Sequence, residues 1–141
     1  MDDLPKIIAF ACNWCSYAGA DLAGVSRIQY PPSTRVIRVM CSGRVSPMFI
    51  LEALRAGADG VLVTGCHPGD CHYLSGNEKA VHNIELARSL LALLGIEPER
   101  LRLEWISAAE GARFAQVVKE FTEQIRQLGA NKLQAAGDRQ P

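Results

Sequence analysis

Lys6-Ile-Ile-Ala-Phe-Ala11 is a nearly continuous apolar run, the pattern of a strand covered on both faces in a parallel sheet. A helix is predicted from Ser16 to about Gln29, weakened by Gly19 and Gly24 and stopped by Pro31-Pro32. Arg35 to Met40, rich in valine and isoleucine, predicts a second strand. Ser46-Pro47 then reads as an N-cap with proline at the first helical position. Met48, Ile50, Leu51 and Leu54 supply an apolar face before Gly57 ends that helix. Asp59-Gly60 turns the chain into a third strand, Val61-Leu-Val-Thr-Gly65.

Ser75-Gly-Asn-Glu78 has the form of a capping box, and the helix it opens runs to about Leu94 with Gly95 as its stop. Its expected core face is Val81, Ile84, Leu91 and Leu94, widened by Leu86. Glu97-Pro98 is a break, and Leu101 to Ile106 alternates as a fourth strand. Ser107-Ala-Ala-Glu110 repeats the capping box before a long helix in which Phe114, Val117, Val118, Phe121, Ile125 and Leu128 keep helical spacing. Gly129 ends it.

Four strand-then-helix units in succession predict an α/β fold: a four-stranded parallel sheet with helices on both faces, Rossmann-like or flavodoxin-like. The expected strand order is 2-1-3-4. In such folds the loops leaving the carboxyl ends of the strands gather on one edge, where ligands bind. Residues 1–129 are expected to form one domain. Residues 130–141 carry too little apolar material to pack and read as a mobile tail.

Composition narrows the function. Lysine plus arginine equals aspartate plus glutamate at 15 each, so no global field attracts nucleic acid or an anionic membrane. The start, Met1-Asp-Asp-Leu-Pro-Lys6, lacks the form of a signal peptide, and no apolar run approaches the roughly 20 residues of a membrane span. A soluble cytoplasmic protein is expected. The chain shows no G-x-G-x-x-G fingerprint, no phosphate loop and no convincing nucleophile with its base.

The chemistry lies in five cysteines, an odd number that argues against a disulfide framework. All five fall where a predicted strand ends: Cys12 and Cys15 after the first, Cys41 after the second, Cys66 and Cys71 after the third. The order 2-1-3-4 would bring all of them within reach of one centre. A C-x2-C pair, a lone cysteine and a C-x4-C pair are metal-ligand spacings, and spacing alone does not separate zinc from iron-sulfur. Structural zinc usually folds a small knuckle, whereas this core is sufficient without a metal. An anionic iron-sulfur cluster suits loops that lead into helix N-termini, whose positive ends stabilise negative charge and lower thiol pKa. Arg44 and Lys79 are candidate sources of further positive charge, and Trp14 is a candidate shield. A third reading is thiol-disulfide chemistry at Cys12 and Cys15, which leaves three cysteines unexplained. His67 and His72 are candidate ligands of a mixed cluster, but five thiols already exceed four sites, which favours hydrogen bonding or solvent exposure for both. His82 lies in a helix and takes no role.

Four ordered motifs carry a resemblance: Cys12-Asn-Trp-Cys15, Met40-Cys41-Ser-Gly-Arg44-Val45, Gly65-Cys66-His-Pro-Gly-Asp-Cys71-His72-Tyr73 and Gly95-Ile-Glu-Pro-Glu-Arg-Leu-Arg-Leu-Glu-Trp-Ile-Ser107. Together they resemble the delta subunit of methyl-viologen-reducing hydrogenase, the hydrogenase iron-sulfur subunit family, over about residues 6 to 128. The resemblance implies a small, non-catalytic electron-transfer subunit carrying a 2Fe-2S cluster on four of Cys12, Cys15, Cys41, Cys66 and Cys71. It also implies partners: the flavin-containing subunit of a heterodisulfide-reductase-type complex, and a hydrogenase or another oxidoreductase as electron donor or acceptor. A structural zinc adaptor and a dithiol oxidoreductase using Cys12 and Cys15 are the alternatives. The two close pairs can each clasp one iron, which makes Cys41 the odd thiol, although its expected place beside strand one keeps it in reach.

Overall fold

The computed structural model describes residues 5–12, 34–39, 45–65, 76–106 and 109–130, with Cys12, Gly76 and Asn77 described by backbone alone. The first apolar run forms β1 (Ile7–Cys12), which accepts a neighbour on each side. β2 (Thr34–Val39) pairs with it on one edge and β3 (Gly60–Gly65) on the other, both parallel. β4 (Leu101–Trp105) pairs parallel with β3, giving the order β2-β1-β3-β4 expected from the sequence. β3 is buried at every position, as a run of Val61, Leu62 and Val63 without alternation requires.

Between β2 and β3 lies α1 (Pro47–Arg55), where the Ser46 hydroxyl accepts the Phe49 N–H at 3.4 Å and Pro47 sits in the first turn. Gly57, at φ +127°, supplies the left-handed turn that follows. α2 (Gly76–Leu93) joins β3 to a short 3₁₀ turn (Pro98–Arg100) and β4. α3 (Gly111–Leu128) follows β4 and ends at Gly129, φ +79°. The predicted helix over Ser16 to Gln29, the Ser75 cap and residues 131–141 lie outside the described residues.

Both faces of the sheet are covered. On one face Phe10, Val61 and Val63 pack against Ile50 and Leu54 of α1 and Ile84 and Leu91 of α2. On the other, Ile7, Ala9 and Leu62 pack against Phe114, Val118 and Phe121 of α3. Alternating side chains of the same strands serve the two layers.

Three expectations are corrected. Val81, Leu86 and Leu94 are exposed rather than core, and the buried stripe of α2 is Ala80, Ile84, Ala87 and Leu91. Those positions recur at i, i+4, i+7 and i+11, and the alanines let the helix approach the sheet more closely than large side chains would allow. On α1, Met48 is 63% exposed while Ile50 and Leu54 are fully buried. Finally, α3 starts at Gly111 with Glu110 in the N-cap position, making no side-chain cap bond there, so the helix begins later than a box opening at Ser107 predicts; Ser107 itself lies outside the described residues. The first two strands are also offset by one residue from the predicted spans.

Candidate functional site

At the carboxyl edge of the sheet, the ends of the strands are level. Cys12 closes β1 opposite Val39, the last residue of β2. On its other side Ala11 is opposite Thr64, one residue before the end of β3, and Gly65 is in turn opposite Trp105 at the end of β4. In the chain, Cys41 follows Val39 by two positions and Cys66 directly follows Gly65. Three strands that each lead into a cysteine are thus immediate neighbours. The fourth, β4, leads into none.

The described structure places Cys12 at the end of β1. Cys15, Cys41, Cys66 and Cys71 lie outside the described residues, as do Trp14, Arg44, His67 and His72. Lys79 and His82 are exposed on α2. Among the described residues no three His, Cys, Asp or Glu side chains group as metal ligands.

The rim of this edge is held by long-range hydrogen bonds. Thr64 donates its buried hydroxyl to the Phe10 carbonyl at 3.2 Å, tying β3 to β1 within two residues of their ends. The Ile106 N–H donates to the Gly65 carbonyl at 2.8 Å, continuing the β3–β4 ladder past the last paired residue. The Asn83 amide donates to the Val45 carbonyl at 3.2 Å, anchoring the chain where it enters α1. Because each helix returns the chain from the carboxyl edge to the amino edge, α1, α2 and α3 all begin on the cysteine-bearing side. Their amino ends bring partial positive charge there.

Charged groups elsewhere serve the scaffold. Glu104 of β4 accepts from Arg102 at 2.7 Å and from Arg113 of α3 at 2.8 Å, and Arg102 also reaches Glu120 at 3.3 Å. Hydrogen bonds from Gln116 and Arg102 hold the Glu120 carboxyl below its ordinary pKa. The Arg55 guanidinium does the same to Glu52. Sequence reasoning missed one large polar feature, the fully buried Arg100, because its carbonyl partners come from two distant parts of the chain, Asp59 and the stretch from Leu128 to Ala130. Among the described residues no helix is long and apolar enough to cross a membrane.

Residues 7–129 match the family described as methyl-viologen-reducing hydrogenase, delta subunit. The chain belongs to that family. It is 58% identical to the iron-sulfur subunit of the F420-non-reducing hydrogenase of Archaeoglobus profundus, over 92% of this chain and 95% of that one. It is 55% identical to the corresponding vhc iron-sulfur subunit of Methanococcus voltae, over 89% and 87%. A different relationship links it to one subunit of the ferredoxin/F420H2-dependent CoB-CoM heterodisulfide reductase of Methanosarcina acetivorans. There the identity is 54% over 89% of this chain, but the match spans 16% of the longer protein. The resemblance read from the four motifs is therefore the correct family.

Proposed function

We propose that the protein is a non-catalytic electron-transfer subunit that holds a 2Fe-2S cluster on four of Cys12, Cys15, Cys41, Cys66 and Cys71. It relays electrons between a catalytic oxidoreductase such as a hydrogenase and the flavin-containing subunit of a heterodisulfide-reductase-type complex. Residues 1–129 act as the electron-transfer domain and 130–141 as a tail outside it. An odd set of thiols suits the reducing cytoplasm.

The observation that carries this reading is the level carboxyl edge of β2, β1 and β3, each strand leading within two residues to a cysteine. Neighbouring strands stand about 4.8 Å apart, and each further residue adds at most about 3.8 Å. Chain connectivity therefore keeps Cys12, Cys41 and Cys66 close to one edge, and Cys15 and Cys71 follow on short loops. Five thiols are a sufficient donor set for a cluster that takes four. The amino ends of three helices favour thiolate over thiol and tolerate an anionic centre. Bound there, the cluster would supply a one-electron couple, and the chain's part is to hold it, to screen it and to bias its potential by charge and hydrogen bonds to sulfur. The names of the relatives, iron-sulfur subunits of hydrogenases and one component of a heterodisulfide reductase, support the cofactor class and both partners.

Anaerobically purified protein is expected to contain about two irons and two sulfides per chain and to give an EPR signal on reduction. Stoichiometric zinc without visible absorption would refute the proposal in favour of a structural adaptor. Metal-free protein with disulfide-exchange activity lost in Cys12→Ser and kept in Cys66→Ser would instead establish a dithiol oxidoreductase.

A further inference from the structure

α1 is only nine residues long, and it spends its buried side chains, Ile50 and Leu54, on the core beneath β1 and β3. Among the described residues, no helix packs its buried side chains on the share of that sheet face belonging to the edge strand β2. Arg35, Ile37 and Val39 of β2 stand in register with Ile8, Phe10 and Cys12 of β1. Between them and the outer side of α1 runs a groove of about 1130 Å³ with a floor that includes Phe10, Ile37, Phe49 and Ala53. Ile37 is 42% and Phe49 52% exposed, so two large apolar side chains lining the same groove are open to an apolar partner.

The rim has a sign. Lys6 and Arg35 both line the groove, both are exposed, and neither side chain has a partner among the described residues. The one rim carboxylate, Glu52, is already bound to Arg55 at 2.9 Å. Two cations without a side-chain partner among the described residues, above an apolar floor, select an occupant with carboxylates flanking apolar side chains. A second copy meeting the groove face to face would set Lys6 and Arg35 against themselves. The chain's own terminal stretch from 131 carries Lys132 and Arg139 against Asp138, which is again the wrong sign.

We propose that the groove between β2 and α1 is the docking site for an amphipathic segment of a partner redox subunit, apolar toward Ile37 and Phe49 and acidic toward Lys6 and Arg35. The proposal rests on the electron-relay reading for the class of partner. Its geometry serves that role, because the groove runs from Lys6 at the amino end of β1 to Val39, which is level with Cys12. A segment seated along it ends at the edge from which the cysteine loops leave.

The test uses the complex purified anaerobically from native cells, with the photo-crosslinker benzoylphenylalanine in place of Phe49. The expected product joins this position to a peptide of a co-purified hydrogenase or heterodisulfide-reductase-type subunit in which at least two Asp or Glu flank apolar residues. A crosslink to another copy, to residues 1–4 or 131–141 of the same chain, or to a peptide without carboxylates overturns the proposal, as does no crosslink. In a second arm, Arg35→Glu should lower crosslink yield about tenfold at low salt, Arg35→Gln should fall between, and the differences should shrink near 0.5 M salt, where the Debye length is about 4 Å. Unchanged yield in both variants overturns the charge argument. Iron content and far-UV circular dichroism of the variants should equal the parent's. A failed iron and sulfide assay would sink the relay reading while leaving the crosslink result to stand or fall alone.

Discussion

Replacing Arg100 with methionine tests whether the amino edge of the sheet is held by one side chain. The guanidinium is 1% exposed and makes four contacts: to the Glu97 carboxylate at 2.7 Å, and to the carbonyls of Asp59 at 3.0 Å, Leu128 at 3.2 Å and Ala130 at 3.3 Å. Methionine fills similar space but donates nothing. Glu97 is 40% exposed and Ala130 is on the surface, so water replaces most of what those two lose. The Asp59 and Leu128 carbonyls are the ones left short, at about 1.5–3 kcal/mol for each charge-assisted bond. Removing a buried cation also removes its desolvation cost, which offsets part of this. The expected net loss for Arg100→Met is about 2–4 kcal/mol, equivalent to a melting temperature lower by about 6–12 °C in a domain of this size. Arg100→Lys, which keeps the charge and loses the fork, should lose about half as much. Urea unfolding followed by far-UV circular dichroism under anaerobic conditions, on protein of matched iron content, measures both. A cost below about 1 kcal/mol for the methionine variant would refute the reasoning, because the carbonyls would then have other partners.

Gly60→Ala should destabilise by about 1–2 kcal/mol. The added Cβ would stand 2.8 Å from Ile125 Cγ1 and 3.1 Å from Phe121 Cε2, and combining it with Ile125→Val in one chain should cost less than the two single effects summed. The Glu120 carboxyl should titrate below an ordinary glutamate in a 13C NMR pH series, because Gln116 and Arg102 favour its charged form. The stability linked to it is therefore present above pH 4.5 and fades as pH falls through the folded-state pKa, and Gln116→Leu should move that titration upward. Stripping the cofactor with a chelator under reducing conditions should leave most of the far-UV signal and a cooperative urea transition, since both described core clusters are built from apolar side chains of the strands and helices; a non-cooperative transition would refute that independence.

Element order and sheet order were legible because their signals are local or combinatorial. The apolar runs at Ile7 and Val61, the Ser46-Pro47 start and the glycines at 57, 95 and 129 each act over a few residues, and four repeated units leave few topologies. The inner face of α2 was not, because a helix rich in leucine offers more than one plausible stripe. The sheet selected the one with Ala80 and Ala87, and Leu86 and Leu94 were left outside. Arg100 carried no local sign of burial: its carbonyl partners lie 41, 28 and 30 residues away in sequence, and the guanidinium is buried only because the fold brings them together. For the candidate site, the strand ends that precede Cys41 and Cys66 in the chain, and the one that Cys12 closes, were readable in the sequence to within a residue. Cys15, Cys41, Cys66 and Cys71 themselves lie outside the described residues.

Strand order gives the two cysteine pairs a reason to cooperate. β1 leads toward β2 on one side while β3 leads through α2 to β4 on the other, so the connections diverge and leave a crevice between β1 and β3. That is the switch point at which open α/β sheets bind ligands. Cys12 ends β1 at one lip of it, and β3, which Cys66 directly follows in the chain, forms the other. A simple 1-2-3-4 order would have put β2 between the pairs. With β1 central, β2, which precedes Cys41 in the chain, is instead the outer neighbour of β1. β4, which brings no cysteine, is stitched to α3 through Glu104 and Arg113 and closes the far side of the sheet. The amino edge, meanwhile, is locked by reciprocal bonds between Lys6 and Asp59, at 2.7 and 3.0 Å, and by Arg100. These contacts fix the end of the sheet opposite the strand ends that lead into cysteines.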